Sequence, residues 1–399
     1  MNKINYFSFC LAILLIFSVK NVHSQVDARK QLRYCSMQIT KTLKLIPEIK
    51  DNIPRSIIPG TDEWRFVGYQ DWCSGFWPGI LWYDYQADRQ ASVRQQAEKF
   101  SAELVALSEQ PAYDHDLGFQ IFNSFGNGYR LTKNPEYKKI ILKTADTLAT
   151  LFNPKVGTIL SWPRDVPGMQ WPQHNTIIDN MINLEMLFWA AKNGGKKMLY
   201  DIALSHAMVT MKNHFRPDHS AYHAVIYDRN TGKKIKGLTH QGFSDTSMWS
   251  RGQSWAIYGY TMCYRETGND EFLSFAEKVS DVYLRKLPAD GIPFWDFNDP
   301  DIPKAPKDAS AAAVVASALL ELSTFVKDAQ KAKKYRNSAE TMLATLSSPA
   351  YQSRDKNTAF LMHSTGHKPN GSEINTPIIY ADYYYIEALL RLQKLQNKE

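Results

Sequence analysis

Two aspartates carry the first sign of chemistry, because each sits where a carboxyl group is expensive to keep. Asp179 lies in Thr176-Ile177-Ile178-Asp179-Asn180-Met181-Ile182, already inside the apolar pattern of a helix start. An unpartnered carboxylate among such neighbours is costly. The same surroundings raise its pKa toward the value that a general acid at neutral pH needs. Asp116 lies in Tyr113-Asp114-His115-Asp116-Leu117-Gly118-Phe119, at the start of another helix. Either side chain has a plainer use as a helix cap that accepts hydrogen bonds from free backbone N–H groups. The apolar flanks of Asp179 suit that use less well. Two carboxylates serving one pocket are the minimum for glycosidic chemistry.

A polar and aromatic set surrounds them in sequence. Asp71-Trp72-Cys73-Ser74-Gly75-Phe76-Trp77-Pro78-Gly79 opens a helix, and Ser161-Trp162-Pro163-Arg164 lies in a long loop. His240-Gln241-Gly242 precedes a segment in which Trp249, Arg251, Gln253 and Trp255 put a cation, an amide and two rings into seven residues. Arginine grips a carboxylate through two parallel hydrogen bonds, and tryptophan offers a flat apolar face to a sugar ring. The alternative for Arg251 and Gln253 is structural: ties between a loop and helix ends. No Gly-rich phosphate loop, His-Glu-x-x-His, Gly-x-Ser-x-Gly or Cys-x-x-Cys occurs in the sequence.

Helical periodicity supplies the elements that must position these residues. Apolar positions repeat at three and four, as in Ile182, Leu184, Met186, Leu187 and Ala190. The spacing predicts helices over 27–48, 76–88, 91–108, 117–132, 136–151, 176–193, 196–214, 252–266, 270–286, 309–326, 329–346 and 377–396. One strand signal stands out: Tyr222 to Tyr227, a turn at Asn230-Thr231-Gly232, then Lys233 to Leu238, a β-hairpin. Short connections alternate with long ones (151–175, 215–251, 287–308, 347–376), so the helices fall into pairs. Twelve paired helices close into an all-α toroid, an (α/α)6 barrel with one β-hairpin insertion and its long loops gathered at one rim. Such a rim is where functional residues tend to sit. An α-solenoid competes, but no segment repeats at a fixed period.

The 399 residues are 44% hydrophobic and 22% charged, a globular balance. Aromatic residues reach 13%, consistent with a large core as well as with sugar-stacking surfaces. Residues 1–24 read as a secretory leader: Lys3, an apolar run from Phe7 to Phe17, and small residues before a cut after Ser24. The expectation is a periplasmic or secreted protein whose single catalytic domain spans 25–399. The run is too short to span a membrane, so no membrane anchor is expected. Losing Lys3 and Lys20 with the leader brings the formal charge from +7 to +5. That mild excess, with no basic block, fits an anionic small substrate and no nucleic acid. Cys35, Cys73 and Cys263 remain at no metal spacing; three buried thiols are the simplest reading, with one disulfide as the alternative. A monomer or homodimer is equally compatible with the sequence.

Trp-Cys-Ser-Gly-Phe-Trp-Pro-Gly, His-Asp-x-Gly-Phe, Ile-Asp-Asn-Met-x-Asn-Leu and Trp-Ser-Arg-Gly-Gln-Ser-Trp, in this order, resemble the unsaturated glucuronyl hydrolases of glycoside hydrolase family 88. So do His363-Ser364-Thr365-Gly366-His367-Lys368 and Tyr380-Ala381-Asp382-Tyr383-Tyr384. The resemblance runs from about Asp71 to about Leu390. It implies a six-hairpin α/α-barrel that hydrates the C4=C5 bond of an unsaturated uronic acid left by a polysaccharide lyase, with no metal or organic cofactor. It implies Asp179 as the acid/base and Asp116 as the second essential carboxylate. His115, His223, Gln241, Trp249, Arg251, Gln253 and Trp255 would line the pocket, Trp72 and Trp162 would wall it, and Ser364 and Lys368 would meet the neighbouring sugar and read a sulfate on it. Three other activities fit the same residues: an unsaturated rhamnogalacturonyl hydrolase, an inverting glycosidase on saturated uronides, and a secreted carbohydrate-binding protein.

Overall fold

The structure, a computed structural model, describes residues 26–166 and 174–397. The leader expected at 1–24, with Cys10, and part of the long connection 151–175 lie outside these residues. Among the described residues, helices run α1 (Ala28–Leu45), α2 (Phe76–Asp88), α3 (Ala91–Ala102), α4 (Asn127–Thr132), α5 (Pro135–Ala149), α6 (Asn180–Lys192), α7 (Met198–Asn213), α8 (Ser250–Thr267), α9 (Asp270–Lys286), α10 (Ala309–Leu322), α11 (Ala329–Leu346) and α12 (Ile379–Gln396). A π-helical segment, Gly118–Gly126, leads directly into α4, and the two together form one inner element.

The inner elements close a ring. α2 packs on the π segment, the π segment on α6, α6 on α8, α8 on α10, α10 on α12, and α12 again on α2. The outer helices lie against them: α1 on α12 and α2, α3 on α2, α5 on the π segment, α7 on α6, α9 on α8 and α11 on α10. This is the six-hairpin barrel. Its two layers follow from composition. Every residue of α10 from Ala309 to Leu320 is buried, in a stretch of alanine, serine, valine and leucine. A helix apolar or small on all sides belongs in an interior. α1 instead buries the stripe Ala28, Leu32, Cys35, Ile39 and Thr42 and leaves its other faces to solvent. Asp27, Asn134, Asn269 and Asp328 cap outer helices by accepting from backbone N–H groups of the first turn, each worth roughly 1 kcal/mol.

The expected hairpin is present as β6 (Ala224–Tyr227) and β7 (Lys234–Leu238), but it is not alone. β1 (Ile53–Ile57) pairs with β2 (Trp64–Val67), β3 (Phe152–Asn153) with β4 (Thr158–Ile159), and β5 (His174–Ile177) joins β6 to make an antiparallel sheet in the order β5-β6-β7. The helix predicted from residue 176 therefore begins at Asn180. Thr176 and Ile177 are taken by Val225 and Ala224 across the sheet, so strand pairing overrides a run whose periodicity suited a helix. Helix 91–108 also breaks after Ala102, and 309–326 stops at Leu322.

Cys35, Cys73 and Cys263 are free and buried. No described helix is long and apolar enough to cross a membrane.

Candidate active site

Close backbone approaches bring the starts of the inner elements to one rim. A Cβ on Gly75 would stand 2.2 Å from the carbonyl oxygens of Phe119 and Gln120, and one on Gly118 would stand 2.5 Å from Asn183 Cα. Only glycine fits at either position. The first contact seats the Trp72 turn against the π segment, and the second seats the Asp116 turn against α6.

Asp179 occupies the cap position of α6, yet its side chain makes no capping hydrogen bond. It is 8% exposed, and burial pushes its pKa up to about 7. The Arg251 charge, its own backbone N–H and the Trp255 indole N–H oppose that rise. Its Oδ2 is buried with no hydrogen-bond partner and lies 3.6 Å from His223 Nε2. His223 Nδ1 accepts from the backbone N–H groups of His240 at 3.0 Å and Gln241 at 3.1 Å. A neutral imidazole has one donor and one acceptor, so these contacts leave the proton on Nε2, facing Asp179. Burial first, then the neighbouring His240 and His367, holds the His223 pKa well below the usual range.

Asp116 repeats the arrangement. The capping role in its turn falls to Asp114, whose Oδ1 accepts from the Asp116 backbone N–H at 3.0 Å. Burial raises the Asp116 pKa strongly, and the negative charges of Asp114 and Asp179 raise it further. The two candidate carboxylates are therefore buried and within electrostatic reach of one another. His115 Nε2 lies 3.5 Å from Asp116 Oδ1, while its Nδ1 lies 3.3 Å from the Asn183 amide nitrogen. Asn183 Oδ1 in turn accepts from the Phe119 backbone N–H at 2.9 Å. Burial lowers the His115 pKa to about 3. Each carboxyl thus faces the Nε2 of a neutral histidine whose Nδ1 is held from behind. His115 Nε2 and His223 Nε2 are themselves buried, so each presents an uncharged ring to its carboxyl and brings no positive charge to the site.

The rings close around this pair. Trp72 packs on Phe76, Phe119 and Tyr380. The His115 backbone N–H donates to Ser161 O at 3.1 Å, which brings in the Trp162 loop, and Trp162 stands edge-on to His223 and His240. Trp249 lies 4.7 Å from the His223 ring. Gln241 donates to Gly366 O at 3.3 Å, and His367 meets His240 at 3.2 Å. Segment 363–368 therefore reaches the same rim.

Five residues expected to bind ligand are placed otherwise. Arg251, 2% exposed, donates to Asp308 Oδ2 at 2.8 Å and to the carbonyl oxygens of Thr365 and Gly366 at 2.5 Å each. It is also sandwiched between the Trp249 and Tyr380 rings. The fork read as a carboxylate grip is a clamp between two loops. Gln253 is wholly buried; its Oε1 accepts from Ala221 N, and its Nε2 donates to His219 O and Val279 O. It is a tie, as the structural alternative had it. Trp255 is fully buried against Phe119 and Tyr384, and only its indole N–H bears on the site, through Asp179. Lys368 is paired with Asp299 at 2.9 Å and lies over Trp295. Ser364 is buried, its backbone paired with Thr376 and its hydroxyl without a partner.

Gln253→Ala is expected to cost about 1–3 kcal/mol of stability, the penalty of leaving buried backbone groups unpaired, with KM unchanged. Denaturant midpoints beside steady-state kinetics check this.

Asp308 and Asn183 were not singled out from sequence. Asn183 had a visible signal, since it falls one turn after Asp179 on the same helix. Asp308 signals only that it caps α10; its partner Arg251 is 57 residues away.

The chain matches the profile of Glycosyl Hydrolase Family 88 over residues 44–394. It is 43% identical over 352 residues to an unsaturated glucuronyl hydrolase of Formosa agariphila, covering 86% of each chain. It is 31% identical over 368 residues to an unsaturated glucuronyl hydrolase of Bacillus sp. (strain GL1), covering 88% of this chain and 94% of that one. Among solved structures, an unsaturated glucuronyl hydrolase specific for heparin superposes with a TM-score of 0.87 at 41% identity, covering 93% of this chain and 98% of the other.

Proposed function

This chain belongs to glycosyl hydrolase family 88 and is a glycoside hydrolase; from that premise we propose that it hydrates the C4=C5 bond of an unsaturated uronic acid at the non-reducing end of lyase-made oligosaccharides. The observation that carries the reading is a buried Asp179 whose pKa lies near 7, beside a second buried carboxyl and two neutral histidines. Asp179 gives its proton to C4 of the enol ether, and positive character develops at C5 and the ring oxygen. The Asp179 carboxylate so formed stabilises that charge and then takes a proton from the water that adds at C5. The hemiketal opens by breaking the bond from C5 to the ring oxygen, and the hemiacetal left at C1 expels the shortened sugar. Asp116, which burial and then the charges of Asp114 and Asp179 keep inclined to hold its proton, holds substrate hydroxyls, and the His115 and His223 rings orient the uronate ring against the Trp72 and Trp162 walls.

The substrate source we propose is a glycosaminoglycan or ulvan, with segment 363–368 meeting the next sugar and any sulfate on it. Residues 1–24 we propose as a leader for export to the periplasm or beyond, leaving one catalytic domain over 25–399. N-terminal sequencing of protein secreted by its own cell should begin at Gln25.

The test is a panel of lyase-digested chondroitin, heparin, hyaluronan and ulvan, followed by loss of the ultraviolet absorbance of the conjugated uronate. At least one should decay. Decay of pectin-derived unsaturated fragments alone would favour the rhamnogalacturonyl activity, and no decay at any pH would overturn the reading. The pH profile adds a second check. Because Asp179 must start protonated and its pKa is raised to about 7, kcat/KM should fall tenfold per pH unit above about 7. A profile that rises through this range would contradict the assigned proton donor.

A further inference from the structure

The opposite rim of the barrel, where the inner helices end, holds a cavity of about 880 Å³ that the proposed reaction does not use. Trp189 in its wall and Asp179 are separated by ten residues of chain along α6, about 15 Å at the helical rise. The volume is within the range of small-molecule sites. Its cations fall into two groups. Arg265 and Arg391 are matched by Glu185, Glu266, Glu321 and Glu387. Arg130, Lys133 and Lys394 also line it, and among the described residues none of these three has a carboxylate within ion-pair distance. Arg130 instead donates to the side-chain oxygens of Gln86 and Asn127, and Lys133 lies over Tyr129. The Asn123 amide nitrogen, on a residue nine-tenths buried in the lining, has no acceptor. Trp189 forms an aromatic wall, edge-on to Tyr129 and tilted against Phe122.

Lysines near helix C-termini also answer the helix dipole, and Lys133 does cap α4. That role needs neither a concave aromatic wall nor a buried amide donor left open. We propose that this cavity is a second binding site for an acidic saccharide. Arg130, Lys133 and Lys394 take its carboxylate or sulfate, Asn123 donates to a hydroxyl, and the Trp189–Tyr129 wall covers the apolar face of the ring.

The test uses a saturated chondroitin sulfate disaccharide, which carries a uronate and a sulfate but no C4=C5 bond, in equilibrium dialysis with the full chain. The Lys133→Glu/Lys394→Glu double variant changes two exposed side chains, so it should fold normally. It should bind one fewer disaccharide per chain, or bind that one at least tenfold more weakly, while kcat/KM for an unsaturated disaccharide stays within twofold. The lost site should also weaken steeply with salt and reject lactose, a neutral disaccharide. Equal binding by wild type and variant, or equal uptake of lactose at the affected site, would overturn the proposal. Neither result bears on the hydration reaction, which is read separately.

Discussion

Asp179→Asn is expected to lower kcat by about 10³-fold or more, within the range that removing a positioned general acid produces, with KM changed little. The asparagine fills the same space at the head of α6 but has no proton to give to carbon. Stability should move the other way. The folded pKa of Asp179 is raised to about 7 against about 3.9 for an unfolded aspartate. As pH rises between those values the unfolded chain loses the proton first, so wild-type stability declines through that window and levels above it. The neutral variant escapes this decline. Its denaturation midpoint should match wild type near pH 4 and exceed it at pH 8. A kcat within tenfold of wild type would remove Asp179 from the reaction, and loss of activity with loss of fold would point to a purely structural role.

Arg251→Met should cost about 3–5 kcal/mol of stability, because it leaves the buried carboxylate of Asp308 and two buried carbonyls without their donor. Asp308 also caps α10 through Ser310 N and Ala311 N, so the damage extends to the start of an inner helix. The variant carries a second, independent signature. The Arg251 charge lowers the Asp179 pKa, so its loss should move the alkaline limb of the rate profile to higher pH. A variant of unchanged stability with only a higher KM would return Arg251 to the role of ligand grip.

The barrel was legible in sequence because its helices are long and their apolar positions repeat without interruption, and pairing followed from alternating loop lengths. Short strands carry no such signal: β5 has four residues, all buried, and its Thr-Ile-Ile continuation reads as readily as a helix start. Asp116 and Asp179 could be found because their cost is local, set by the residues beside them. The uses of Arg251, Gln253 and Lys368 could not, since each is decided by a partner 69 residues or fewer away in sequence but on another element, or by carbonyls more than a hundred residues distant. A compact motif shows which groups are available; only tertiary pairing shows which are already spent.

Closure of the ring by α12 has a bearing on how the protein comes to exist. α12 seals the gap between α10 and α2, joins Tyr383 to Tyr83 across 300 residues of chain, and sets Tyr380 against Trp72 and Arg251. Hairpins can assemble one after another during synthesis, but the catalytic mouth is complete only when the last of them docks on the first. A nascent chain lacking that segment would be richly helical, open along one seam and without activity.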